Sequence, residues 1–227
     1  MIVVNNFLHF NFIFLLYCFT DKLLGNIKGK YYFVHFINNL FVSYYTIYDL
    51  YITYFKFNEV LTYQINYLPT ILTFSLHLYH IFMYYNKLLF DDWLHHILMC
   101  CFALPSGLYL NCGSLLGHSL FYLTGLPGGI NYLMLFLNRN NLLDRLKQKK
   151  YNTLINLWIR SPGCIIQSIL SFIVFINNYH YFNNILKIIC AFFGVILPFW
   201  NGIYFMNQVV SNYAVEKYKI KLLKNKD

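Results

Sequence analysis

The residues able to do acid–base or ligand chemistry are few here, and they recur at helical spacing within apolar stretches. The most distinctive run is Asp91-Asp92-Trp93-Leu94-His95-His96. A step of four pairs Asp91 with His95 and Asp92 with His96 on a helix. A carboxylate that accepts from one imidazole nitrogen fixes the tautomer and leaves the other nitrogen free as a base. Aspartates also suit the positive end of a helix dipole. The run therefore reads as a general acid/base site at a membrane interface, with a well-capped helix start as the plain alternative.

Three further groups share helical faces. Thr73, His77, His80 and Tyr84 follow steps of four, three and four, so a histidine stripe faces one way. It suits a polar pocket or a proton relay, against simple interhelical hydrogen bonding. His35, Asn38, Asn39, Tyr45 and Asp49 lie close to one face of an earlier segment, with Asp49 near its outer end, where solvent exposure accounts for it equally well. His118 precedes Gly125-Leu126-Pro127-Gly128-Gly129. A glycine–proline break at membrane depth survives only when buried in protein or lining a cavity. The carbonyls that it frees suit a headgroup or a cation, and close helix packing is the alternative.

These residues need a scaffold, and the composition says which. Of 227 residues 59% are hydrophobic and only 11% charged, far below the roughly one-quarter charged residues of soluble domains. The fold class expected is all-α, a polytopic transmembrane bundle of about seven spans, over 5–20, 31–55, 69–87, 92–111, 114–138, 161–179 and 184–211. The first run is short for a span and carries no signal-peptide pattern. The segment Tyr151–Arg160, before Ser161-Pro162, reads as a surface helix, with one long helix kinked at Pro162 as the alternative. The chain reads as a single domain, 1–227, ending in a basic tail, 212–227. The six cysteines show no CxxC pair and read as buried thiols.

Charge supports an odd number of spans. Lys22, Lys28, Lys30, Lys87, Arg139, Arg145, Lys147, Lys149, Lys150 and the tail lysines 217, 219, 221, 224 and 226 fall in alternate connections. That puts 14 of the 17 basic residues on one side, with Lys56 alone on the other. The positive-inside rule then places the C-terminus in the cytosol. The net charge of +9 is thereby explained by orientation, without nucleic acid.

Tyr48-Asp49-Leu50, the phrase Asp92–His96 (DWLHH) and the run Gly125–Tyr132 (GLPGGINY) resemble motifs of the TLC domain family of multi-pass membrane proteins, over roughly residues 30–210. The resemblance implies a helical bundle, usually in the endoplasmic reticulum, that binds, senses or regulates membrane lipids. It includes the ceramide synthases, which transfer an acyl chain from acyl-CoA and whose double histidine corresponds to His95 and His96. Those synthases also carry aspartate downstream, where FYLTGLPGGINY has none. Candidate catalytic residues are thus His95, His96, Asp91 and Asp92. Candidate lipid-binding residues are His77, His80, Tyr84, Asp49, His118, Pro127 and Gly128. No resident cofactor is implied; acyl-CoA is a co-substrate in the acyltransferase alternative, where an imidazole deprotonates an amine or hydroxyl. A zinc amidase would need His77, His80 and one of His95 or His96 to converge on one ion. A transporter is the remaining class, without repeat symmetry to support it.

Overall fold

The computed structural model describes residues 2–224, and every regular element among them is helical. Seven rods follow one another: α1 (Ile2–Leu23), α2 (Lys30–Phe55), α3 (Leu68–Tyr84), α4 (Phe90–Leu110), α5 (Ser114–Arg139), α6 (Arg145–Asn177) and α7 (Ile185–Lys224). They coincide, within a few residues at most ends, with the seven expected segments. Four of them, α4 to α7, are long and apolar enough to cross a membrane. Of the other three, α3 has only 17 residues and α2 is rich in tyrosine and asparagine.

Two rods pass through a proline by widening. A π-helical turn over Leu98–Ala103 precedes Pro105 in α4, and another over Asn156–Arg160 precedes Pro162 in α6. Leu104 N–H reaches Met99 O, and Ser161 N–H reaches Asn156 O, each five residues back. A proline ring collides with the carbonyl four residues before it; a wider turn shifts that carbonyl aside, so the helix continues. Tyr151–Arg160 is therefore not a separate surface helix. It is part of one rod that begins at Arg145, the kinked-helix alternative. In α5 the glycine–proline run instead splits the rod into Ser114–Leu123 and Leu126–Arg139.

Packing is inverted relative to a soluble protein. Asn38, Asn39, Thr46, Thr73, Ser114 and His118 are buried, while Phe12, Phe19, Tyr44, Ile47, Phe55, Phe172, Ile176 and Phe192 point outward. The inversion runs through α1 and α2 as well as the four rods α4 to α7. Small residues let the rods close up. A Cβ on Gly117 of α5 would meet the Asp49 carboxylate of α2 at 2.1 Å, and one on Gly163 of α6 would meet the Tyr122 ring of α5 at 2.0 Å. All six cysteines are unpaired; Cys164 and Cys190 are buried, whereas Cys101 faces outward.

Helix α2 packs along both halves of α5 and against α3; α6 and α7 pair along their length, and α7 also meets α4. The result is a ring α2–α3–α4–α7–α6–α5, with α1 outside it against α3 and α2. The basic connections gather at one end: Asn140 donates to Lys28 O at 3.0 Å, and Arg145 pairs with Glu216 at 3.2 Å. Helix α1 is pinned there by Asp21, a residue that the sequence reading passed over. Its carboxylate pairs with Lys30 at 2.8 Å and accepts from Tyr79 at 2.7 Å and from Tyr84. Higher up, Tyr17 donates to Asn38 Oδ1 at 2.6 Å.

Asp21→Ala leaves a lysine of α2 and two phenols of α3 without their acceptor. It is expected to cost about 2–4 kcal/mol, read as a lower Tm of the detergent-solubilised full chain. A Tm unchanged within error would show that α1 is held by its apolar face alone.

Candidate functional site

Inside the ring, towards the basic end, lies a chamber of about 230 Å³. Its walls carry polar side chains repeating at about one turn, set among Leu76, Met99, Leu123, Phe205 and Val209. Helix α2 contributes His35 and Asn39; α3, His77 and His80; α4, Asp91, His95 and Met99; α6, Asn152, Asn156 and Arg160; α7, Asn201, Phe205 and Val209. The lower half of α5 adds Gly128, Asn131 and Tyr132. A larger vestibule of about 680 Å³ adjoins it at the basic end, between Gly25, Lys30, Tyr84 and Lys87, and shares His80, Asp92, Asn131 and Tyr132 with it.

In the other direction the chamber meets a narrow apolar gap between α4 and α7, which shares Asp91, His95, Met99, Leu123, Asn201 and Phe205 with it. Ala103, Leu123 and Leu197 then connect the gap to a slot of about 80 Å³ further along the bundle, lined largely by Leu110, Leu116, Val174, Phe193 and their neighbours. The tract is polar at the basic end and apolar beyond.

The histidines organise the chamber. His77 Nδ1 lies 2.9 Å from His96 Nδ1, and His96 Nε2 lies 3.1 Å from His80 Nδ1. Backbone contact between α3 and α4 is slight, so these three rings bridge the two rods. A neutral imidazole has one donor and one acceptor nitrogen. The protons along His77–His96–His80 must therefore all point one way, and a proton entering at one end reverses the chain. His80 stacks on Tyr31, with ring centroids 5.3 Å apart, at the vestibule. His35 donates Nδ1–H to Tyr31 O at 2.8 Å and stands 5.0 Å from the His80 ring. His95 has no hydrogen-bond partner among the described residues; it lines both the chamber and the apolar gap, edge-on to Phe205 at 6.3 Å.

The expected aspartate–histidine pairs are not made. Asp92 Oδ2 accepts from Leu89 N–H at 2.9 Å, because the first turn of a helix has backbone donors to spare. Asp91 is exposed at the chamber edge. Both nitrogens of His96 are taken by α3. The double histidine thus divides into one ring locked in a relay and one left free.

The glycine–proline run has a specific consequence. Pro127 has no N–H to offer the carbonyl four residues earlier, that of Leu123. Arg160 Nη2 donates there at 3.4 Å and to Asn201 Oδ1 at 3.1 Å. The guanidinium lies over the Phe205 ring at 4.8 Å, a cation–π contact. The cation suited to the freed carbonyl is the protein's own. Arg160 reads from sequence as a helix-end charge; its step of four from Asn156 and Asn152 was the signal for a polar face.

Not every candidate residue meets the chamber. His77, His80, His95, His96, Asp91, Asp92 and Gly128 line it. Tyr84 lines the vestibule and is tied to Asp21. Pro127 is buried at the break. Asp49 and His118 belong to a separate polar patch near the other end. There His118 Nδ1 is 2.6 Å from Gln167 Oε1, Thr53 meets Ser114 at 2.9 Å, and Asp49 rests on Gly117. Asp49 is 4% exposed, so solvent does not account for it. Among the described residues no group of three or more His, Cys, Asp or Glu side chains is arranged to hold a metal ion. Comparison of the chain with family models, curated proteins and solved structures finds no match.

The bridge and the free ring separate on substitution. His96→Ala is expected to lose about 1–2 kcal/mol, two interhelical bonds at membrane values, whereas His95→Ala lowers Tm by less than half as much. Equal losses, measured by thermal unfolding in one detergent, would contradict the division of roles.

Proposed function

We propose that this protein is a lipid-binding membrane protein of TLC type that takes a headgroup into the histidine chamber and an acyl chain along the apolar slot. The observation that carries this reading is the tract itself. A polar chamber, an apolar gap and an apolar slot follow one another with Leu123 as a shared wall residue, and a lipid has the same sequence of polarity. Of the four buried side-chain atoms without a partner among the described residues, Asn131 Oδ1 and Arg160 Nε belong to the chamber wall. Buried polar atoms are ordinarily satisfied, so an acceptor and a donor await a polar ligand there.

In this reading all seven rods cross the bilayer. Outward aromatic and aliphatic side chains on α1 and α2 support it, as does the charge asymmetry, which sets the basic end in the cytosol. The vestibule then opens to the cytosol. The endoplasmic reticulum is the proposed membrane, on the family resemblance.

One observation favours a second reading, acyl transfer. His95 is a free imidazole at the junction of chamber and gap, where a lipid hydroxyl or amine would meet a thioester arriving from the cytosolic side. Its ring would take the proton as the nucleophile attacks the thioester carbonyl of acyl-CoA; the C–S bond would break, and CoA would leave as the thiol on receiving that proton. His77, His96 and His80 would hold α4 in register and pass protons towards the vestibule.

Purified full-length protein is expected to retain about one lipid per chain. Leu197→Trp, which fills the slot, is expected to reduce retention at least about fivefold, against no change for Phe192→Trp on the outer face; the residual binding is that of a headgroup without its chain. Equal retention by both variants would sink the tract as a lipid site. Lipidomics of cells expressing the wild type or His95→Ala at matched levels separates the readings. An acyl-lipid class raised by the wild type alone supports transfer, and identical profiles support binding without chemistry.

A further inference from the structure

Arg160 is a cation inside the ring without a counter-charge. Its described bonds go to neutral groups, the Leu123 carbonyl and the Asn201 amide, and its plane rests on Phe205. Nε is enclosed and has no partner among the described residues. The ion pairs among the described residues are Asp21 with Lys30, Glu59 with Lys56 and Glu216 with Arg145. The chamber's own carboxylates are not spent on Arg160: Asp92 caps α4, and Asp91 stays at the exposed rim. Neutral acceptors aim a guanidinium without neutralising it. An unpaired charge is costly in a low-dielectric interior; with Nη2 spent on Leu123 and Asn201, Nη1 is left to donate to an oxygen of a phosphate or carboxylate.

We propose that Arg160 recognises the anionic headgroup of the lipid bound in the chamber, a phosphate or a carboxylate, and thereby selects acidic lipids over neutral ones with the same chains. The inference rests on the lipid-binding reading and adds the ligand's charge to it. Asn201 of α7 accepts from Arg160 through Oδ1, which leaves its amide nitrogen to donate to a remaining headgroup oxygen; Asn156, one turn before Arg160 on α6, spends its own amide nitrogen on Asn152. His95 marks where the headgroup ends and the chain enters the gap.

The test is native mass spectrometry on the full chain in detergent, with two matched pairs: dioleoyl phosphatidate against dioleoylglycerol, and oleate against oleyl alcohol. The wild type is expected to bind the acidic member of at least one pair about tenfold tighter or more, the scale of a charge-assisted contact. Arg160→Gln is expected to abolish that preference, and Arg160→Lys, which keeps the charge but not the planar guanidinium that Leu123 and Asn201 hold, to retain part of it. Asn201→Asp places a carboxylate 3.1 Å-bonded to the same nitrogen and is expected to cancel the preference in a chain whose Tm shows it folded, which covers the case in which Arg160→Gln does not fold.

Equal affinity within both pairs would overturn the anionic headgroup while leaving lipid binding in place. A preference that survives Asn201→Asp in folded protein would overturn the role of Arg160. Inorganic phosphate competing at the lipid's own affinity would make the ligand a soluble anion and overturn the lipid source. No binding of any of the four lipids would overturn this inference together with the reading beneath it.

Discussion

Everything here follows from one constraint: within a bilayer there is no water to answer a polar group, so each must be answered by the protein. The Pro127 break shows the constraint at work. The missing N–H leaves the Leu123 carbonyl open in mid-rod, and Arg160 crosses from α6 to take it, bringing Asn201 of α7 into the same contact. Three rods are coupled through one defect. The π turns before Pro105 and Pro162 solve the same problem differently, by keeping the backbone paired at a wider pitch.

The polar stripes obey the same rule. Facing lipid, the histidines of α3 and the asparagines of α2, α6 and α7 would be expensive; facing each other, they define a chamber. Their mutual bonds are modest, about 1 kcal/mol or less each in membranes. The ring is therefore held mainly by close packing at Gly117 and Gly163 and by the Asp21 knot, and the chamber need not be rigid to persist. That separation lets His95 and Arg160 remain partly unengaged while the fold holds. A site whose groups were all mutually satisfied would have nothing left for a ligand.

The rods were legible because apolar periodicity and proline–glycine punctuation are local signals. Six of the seven starts fall within about three residues of the hydropathy reading; α6 starts earlier because proline in a membrane rod can be absorbed by a π turn, which no local pattern announces. The histidine cluster was legible from spacing on α3 and α4, but its partners were not. Asp91 and Asp92 looked like the natural acceptors at four residues' distance. They lost to the α4 backbone donors and to α3, whose position depends on the tertiary fold. Arg160 and Asn201 were hidden for a similar reason: one polar residue in an apolar run gains meaning only when the opposing rod is in place. Asp21 carried no signal in the sequence, because Lys30, Tyr79 and Tyr84 come round it only in the fold.

The most direct test of the central claim, that a lipid occupies the tract between α4, α5 and α7, is photo-crosslinking. A diazirine-bearing fatty acid would be fed to cells expressing the full chain, and labelled residues located by peptide mass spectrometry. Labels on Ala103, Leu123, Leu197 and their slot neighbours, above those on outward Phe172 and Ile176, are what the account requires. Labels confined to the outward faces, with the slot residues unmodified, would contradict it.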